Sequence, residues 1–230
     1  MKIVTGTRPS SHGRILAAAL AAVTLGLLGL LAGCTGDADA PAGRPAGEPA
    51  SGEPWYDEVA AAAPSAGTTG GAGTACPLPV AFPLAEGWLP KPVEVPEGEL
   101  GELLGEALAS RGGATARCEV DGRRAGGGFL RVWTADQPAA RRAALEAFVA
   151  DGGETVTDQR FREVRAGSYD GTETTWLTTS SLTDEPSRHW ALAVEAQGQT
   201  LLLTVDESLI ADRTDVLPAY RLATAGLTAR

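Results

Sequence analysis

His189 lies two residues after Ser187 and five after Asp184, and the three side-chain types are those of a nucleophilic triad. On an extended strand, residues two apart project from the same face. Ser187 and His189 therefore point in parallel, with no sharp elbow to expose a nucleophile and no recognisable oxyanion donor. No catalytic residue is expected from this group; a polar strand end beside a turn accounts for all three. Glycines 126–128 and the glycine-rich run 67–73 fail as phosphate cradles, because neither carries the lysine or the strand-to-helix setting that aims backbone N–H groups at phosphate. The acidic pairs Asp57-Glu58, Asp184-Glu185 and Asp206-Glu207 lack the alternating ligand spacing of a calcium loop and read mostly as solvated charge.

Trp88, Trp133, Trp176 and Trp190 are the aromatic candidates for a ligand groove. Trp133 and Trp190 sit in strongly apolar strands and are expected in the core. Trp88, between Gly87 and Pro90, is expected to be the exposed binding aromatic. Cys76 and Cys118, with His189 as the one histidine beyond residue 12, do not furnish a recognisable zinc set. Neither a metal nor a cofactor is expected.

The elements that must position these residues follow from pattern. Residues 76–230 are long enough for one domain with a single core. Val80 to Phe82 and Trp88 to Val95 read as short extended pieces broken by prolines, and Leu100, Leu103, Leu104, Ala107 and Leu108 recur at helical spacing. Thr115 to Val120 and Phe129 to Thr134 read as strands. Asp136 is the expected N-cap of a second helix, with Pro138 in its first turn and Leu145, Phe148 and Val149 on its apolar stripe. Strands at Phe161–Val164, Thr172–Leu182, Arg188–Ala196 and Thr200–Val205 follow, with turns expected at Asp170-Gly171 and Gln197-Gly198. A last helix from about Arg213 runs to the C-terminus. Short links favour antiparallel neighbours, and the fold class expected is α+β: a curved antiparallel sheet layered with helices.

The N-terminus carries Lys2, Arg8 and Arg14 without an acid, then residues 15–33 without charge, ending Leu31-Ala32-Gly33-Cys34. This ending resembles the lipobox of bacterial lipoproteins. The resemblance implies cleavage after Gly33, diacylglyceryl modification of the Cys34 thiol and acylation of the new amino terminus. Two or three chains make attachment stable where one gives an association constant of only about 10⁴ M⁻¹. The alternative is an uncleaved helix just able to span a bilayer core of about 30 Å. Residues 1–33 are thus expected as a lipoprotein signal peptide, 34–75 as the lipidated cysteine and a disordered Ala/Gly/Pro-rich tether, and 76–230 as an extracytoplasmic domain. Within the tether, Trp55-Tyr56-Asp57-Glu58-Val59 is an aromatic and acidic island, a candidate docking segment. An oxidising compartment makes a Cys76–Cys118 disulfide the default.

Removing the three basic residues of the signal takes the formal charge from −10 to −13, which disfavours nucleic acid. The absence of asparagine and the two lysines in the whole chain look like a high-GC, actinobacterial genome. Gly87-Trp88 after a proline-bearing strand, with the ending Thr200–Val205 followed by Leu217-Pro218-Ala219-Tyr220, resembles the PsbP-like lipoproteins of actinobacteria. That resemblance implies an α/β/α sandwich serving as an accessory piece. The function expected is a membrane-anchored, non-catalytic binding module. Its partners are membrane lipid through Cys34 and an envelope protein, glycan or small molecule. The competing readings are an envelope hydrolase or transferase using carboxylates, and a spacer without ligand.

Overall fold

The computed structural model describes residues 60–94, 98, 101, 105, 109–179, 184–208 and 210–230. Strands β1 (Ser65–Gly70), β2 (Val80–Ala85), β3 (Leu89–Pro92), β4 (Ser110–Arg111), β5 (Ala114–Asp121) and β6 (Phe129–Ala135) precede helix α1 (Arg141–Ala150). After it come β7 (Val156–Ala166), β8 (Tyr169–Thr179), β9 (Pro186–Ala196), β10 (Gln199–Asp206), helix α2 (Arg213–Ala225) and β11 (Thr228–Ala229). The main sheet runs β3-β5-β6-β10-β9-β8-β7, with β4 on β5, and every pair is antiparallel. A smaller sheet runs β1-β2-β11. The fold is α+β, as the strand and helix patterning led us to expect.

The central strands are covered on both faces, so they read as nearly continuous apolar runs. Trp190, Leu192 and Val194 of β9 with Leu201, Leu203 and Val205 of β10 pack toward α2 and β2. Ala191 and Ala193 with Leu202, Trp133 and Trp176 pack toward α1. Helix α1 answers with Ala144, Leu145, Phe148 and Val149, and α2 with Val216, Leu217, Ala219, Tyr220 and Ala223. Small alanines beneath α1 let a helix and two indoles share one face of the sheet. The start of α2 is fixed by a capping box: Asp212 accepts from the Thr214 N–H at 2.7 Å, and Asp215 accepts from the Asp212 N–H at 2.9 Å. No helix among the described residues is long and apolar enough to cross a membrane.

Several expectations need correction. Ser65–Gly70, expected within the tether, is a strand paired with β2, and the Ala63 N–H donates to the Pro218 carbonyl. This strand is held mainly by main-chain bonds, Thr69 being its buried side chain, so its Ser, Ala, Gly and Thr composition conceals it. Gly70, at φ +87°, is there because a Cβ would meet the Val80 carbonyl oxygen. The turn between β7 and β8 is Gly167-Ser168; Asp170 and Gly171 lie inside β8. Asp136 does not cap α1. Its carboxylate accepts from the Thr115 hydroxyl at 2.6 Å across the β5–β6 pair, and α1 begins at Arg141 behind an uncapped Ala140. Leu227 lies beyond α2, buried, with β11 after it.

Of the expected first helix, Gly101, Gly105 and Ala109 are described, and all three are helical and buried; its leucines lie outside the described residues. Cys34, the island Trp55–Val59 and the rest of the tether before residue 60 also lie outside them. Cys76 and Cys118 form a disulfide with Cα atoms 5.6 Å apart, both fully buried. The bond ties the entry to β2 to the middle of β5 across 42 residues. Replacing both cysteines with serine should lower the unfolding free energy by about 2–5 kcal/mol, read by urea titration. An unchanged midpoint would contradict a structural role for the bridge.

Candidate functional site

The Gln197-Gly198 turn, with φ values of 51° and 78°, joins β9 to β10 so that Ala196 faces Gln199 and, counting outward, His189 faces Asp206. The next pairing over places Trp176 of β8 opposite His189. These registers assemble a cluster that is remote in sequence. His189 Nδ1 lies 2.7 Å from Asp206 Oδ1, and Nε2 lies 2.7 Å from the Thr178 hydroxyl. The imidazole stacks on the Trp176 ring at 5.0 Å between centroids. A carboxylate only accepts, so Nδ1 carries the proton toward Asp206 and, in the neutral ring, Nε2 accepts from Thr178.

Hydroxyl, imidazole and carboxylate in this order have the connectivity of a nucleophilic triad. Access rules out that chemistry here: Thr178 is 5% exposed, so a scissile carbonyl has no approach to its oxygen. The sequence neighbours Ser187 and Asp184 make no bond to the ring. The chemical effect of the cluster is instead to fix one oxygen of Asp206, whose side chain is 46% exposed, leaving the other free to meet solvent or a ligand.

That carboxylate opens into a cavity of about 210 Å³ at the C-terminal end of α1, lined also by Arg111, Arg131, Trp133, Phe148 and Asp151. Arg111 is seated with care. Its Nε donates to the Phe148 carbonyl at 2.8 Å, and its guanidinium lies 4.4 Å over the Phe148 ring. Gly152 leaves the room it needs, since a Cβ there would come within 2.3 Å of Nη2. Burial lowers the Arg111 pKa, against the opposing pull of Asp206, Asp151 and Glu154, and a guanidinium remains charged through such a shift. Arg131 is committed elsewhere: its Nε and Nη2 both reach Glu119 Oε2, at 2.9 and 2.8 Å, and Lys91 takes Oε1 at 2.9 Å. Trp133 spends its Nε1 on the Thr204 hydroxyl at 3.1 Å.

A larger cavity, about 310 Å³, opens on the α2 side of the sheet among Arg162, Val164, Glu173, Leu192 and Arg221. Its buried carboxylate is already engaged. Glu173 accepts from the Tyr220 hydroxyl at 2.8 Å and from Arg162 at 2.8 and 2.6 Å, which pins β7 and α2 to β8. The smaller cavity, with uncommitted donors and acceptors facing it, is the candidate site.

The expected aromatic, Trp88, is not there. It is 6% exposed, and its indole fills the space that side chains at Gly122 and Gly127 would occupy. The glycine-rich turn therefore exists to admit a core ring, and Gly87-Trp88 is packing. Asp206 and Glu207, read as solvated charge, are built in as well: Glu207 accepts from the Arg188 N–H at 2.9 Å. The signal that finds Asp206 is the Gln197-Gly198 turn, because a two-residue turn fixes every pair that follows. Nothing local marks Arg111, whose site needs the end of α1 brought across 37 residues. Among the described residues no three His, Cys, Asp or Glu side chains gather as a metal site.

Burial raises the Glu119 pKa, but Lys91 and Arg131 outweigh it and hold the carboxyl below its ordinary value near 4.5. The folded value lies under the unfolded one, so this stabilisation is complete above about pH 4.5 and is lost as pH falls through the lower folded value. The gap in unfolding midpoint between wild type and Glu119→Gln should therefore shrink from pH 6 to pH 3 in urea titrations. A gap that does not change with pH would contradict the pairing.

A family model described as uncharacterised lipoprotein matches residues 45–227. No curated protein matches the chain.

Proposed function

The chain belongs to this family of uncharacterised lipoproteins, and from that premise we propose that it is a membrane-anchored, extracytoplasmic binding module that takes a small polar ligand in the cavity at the end of α1. The observation that carries the reading is the seating of Arg111: a guanidinium fixed by a carbonyl, a ring and a glycine, with its Nη groups hydrogen-bonded to none of the described residues. A donor held this firmly at low conformational cost is a binding device. The basic and then uncharged N-terminus ending in Leu31-Ala32-Gly33-Cys34 supports diacylglyceryl attachment at Cys34. The buried disulfide fits an oxidising compartment, hence the outer face of the membrane. The module is non-catalytic in this reading, since the hydroxyl–imidazole–carboxylate chain found among the described residues is buried at its hydroxyl end. The α+β layering is also what the PsbP-like resemblance implies, and an accessory role in an actinobacterial envelope accords with it.

Two measurements test the reading. Metabolic labelling with an alkyne fatty acid should tag the wild-type chain and leave Cys34→Ser unlabelled; label that persists in the variant would overturn the anchor. Native mass spectrometry of the full chain, released from its host membrane in detergent, should show a reproducible mass excess beyond the lipid. Ser110→Trp, which fills the cavity from its exposed rim, should abolish that excess. An excess retained in Ser110→Trp would remove the cavity from the reading.

A further inference from the structure

The cavity presents two opposite charges that the protein leaves partly unanswered. Arg111 uses Nε on the Phe148 carbonyl, while its Nη nitrogens make no hydrogen bond among the described residues. Asp206 uses Oδ1 on His189 and makes no further bond through Oδ2 among the described residues. Around them, Arg131 is paired with Glu119 through Oε2, and Asp151 accepts from the Gly112 N–H at 2.6 Å. Phe148 and Trp133 back the cavity but are 2% and 5% exposed, so the surface it offers is mainly polar.

A ligand that were only an anion would meet Arg111 but also face Asp206, Asp151 and the carbonyl end of α1, all negative. A simple cation would meet Asp206 but also face the guanidinium of Arg111, on which that carboxylate already acts. A molecule with both charges satisfies both residues. At about 210 Å³ the space suits something of amino-acid size rather than a drug-sized ligand.

We infer that the ligand is a small zwitterion, its acid group bound by Arg111 and its ammonium by Asp206. This rests on the cavity reading above. Thr178 and His189 are positioning residues: they hold Asp206 Oδ1, so that Oδ2 faces the ligand without a rotamer search.

The test uses the full chain in detergent and calorimetric titration with three probes sharing one side chain: leucine, 4-methylpentanoate, which lacks the ammonium, and 3-methylbutylamine, which lacks the acid. Leucine should bind at least tenfold more tightly than either of the others. Asp206→Asn, which keeps an acceptor for His189, should abolish the preference for leucine over 4-methylpentanoate, weakening leucine at least tenfold and leaving the acid no weaker than in wild type. Arg111→Gln should bring leucine down to the affinity of the amine in the same way. A variant that merely failed to fold would lose all three probes, so the selective pattern separates recognition from stability. Equal binding of leucine and either single-charge probe, or no binding of leucine, overturns the zwitterion assignment. Should that happen while a mass excess sensitive to Ser110→Trp is present, the ligand class fails and the cavity reading stands.

Discussion

The register of β8, β9 and β10 is the constraint on which the remaining structure depends. Side chains alternate along a strand, so a slip of one residue would exchange the two faces of each strand. Trp190, Leu192 and Val194 would leave the α2 core, and Ala191 and Ala193 would no longer leave room beneath α1. The same slip would separate His189 from Asp206. Packing and the polar cluster are therefore two consequences of one alignment, set by a two-residue turn and enforced by apolar surface on both sides of the sheet.

Electrostatics at the end of α1 follow from that alignment. The helix lies over the small residues of β9 and delivers its carbonyl terminus to the edge of the aromatic and polar patch. A helix C-terminus carries partial negative charge, which a cation stabilises by about 0.3–1 kcal/mol when exposed and more when partly buried. Arg111 answers that need through the Phe148 carbonyl. Structural and recognition roles coincide in this residue: one edge of the guanidinium closes the helix, and the other remains toward the cavity. The Glu173–Arg162–Tyr220 group on the opposite face differs, because its carboxylate is held by partners from β7 and α2 and acts as a brace.

Local sequence carried much of the architecture. The alternation in β9 and β10, the apolar stripe of α1, the start of α2 and the cysteine pairing are all legible, because each is written in residues close together or in a buried pattern that tolerates few alternatives. What stayed hidden was held by groups that side-chain identity does not describe. β1 is a strand by virtue of main-chain pairing, and Asp136 serves a neighbouring strand instead of a helix cap. Trp88 looked exposed because Gly87 and Pro90 flank it, whereas two glycines more than thirty residues on, Gly122 and Gly127, leave the space its ring occupies. The histidine was noticed with the wrong partners: Ser187 and Asp184 lie near it along the chain, while Thr178 and Asp206 lie near it across the sheet.

The functional account therefore hangs on whether Asp206 is truly presented by His189. Nitrogen-15 NMR of the histidine side chain in the full chain reads this directly, because the two ring nitrogens report their protonation separately. The account predicts that neutral His189 is the Nδ1–H tautomer, and that Asp206→Ala releases it toward the Nε2–H form usual for an unconstrained ring. An Nε2–H tautomer in the wild-type chain, or a ring unaffected by loss of Asp206, would contradict the register-built site and the ligand recognition drawn from it.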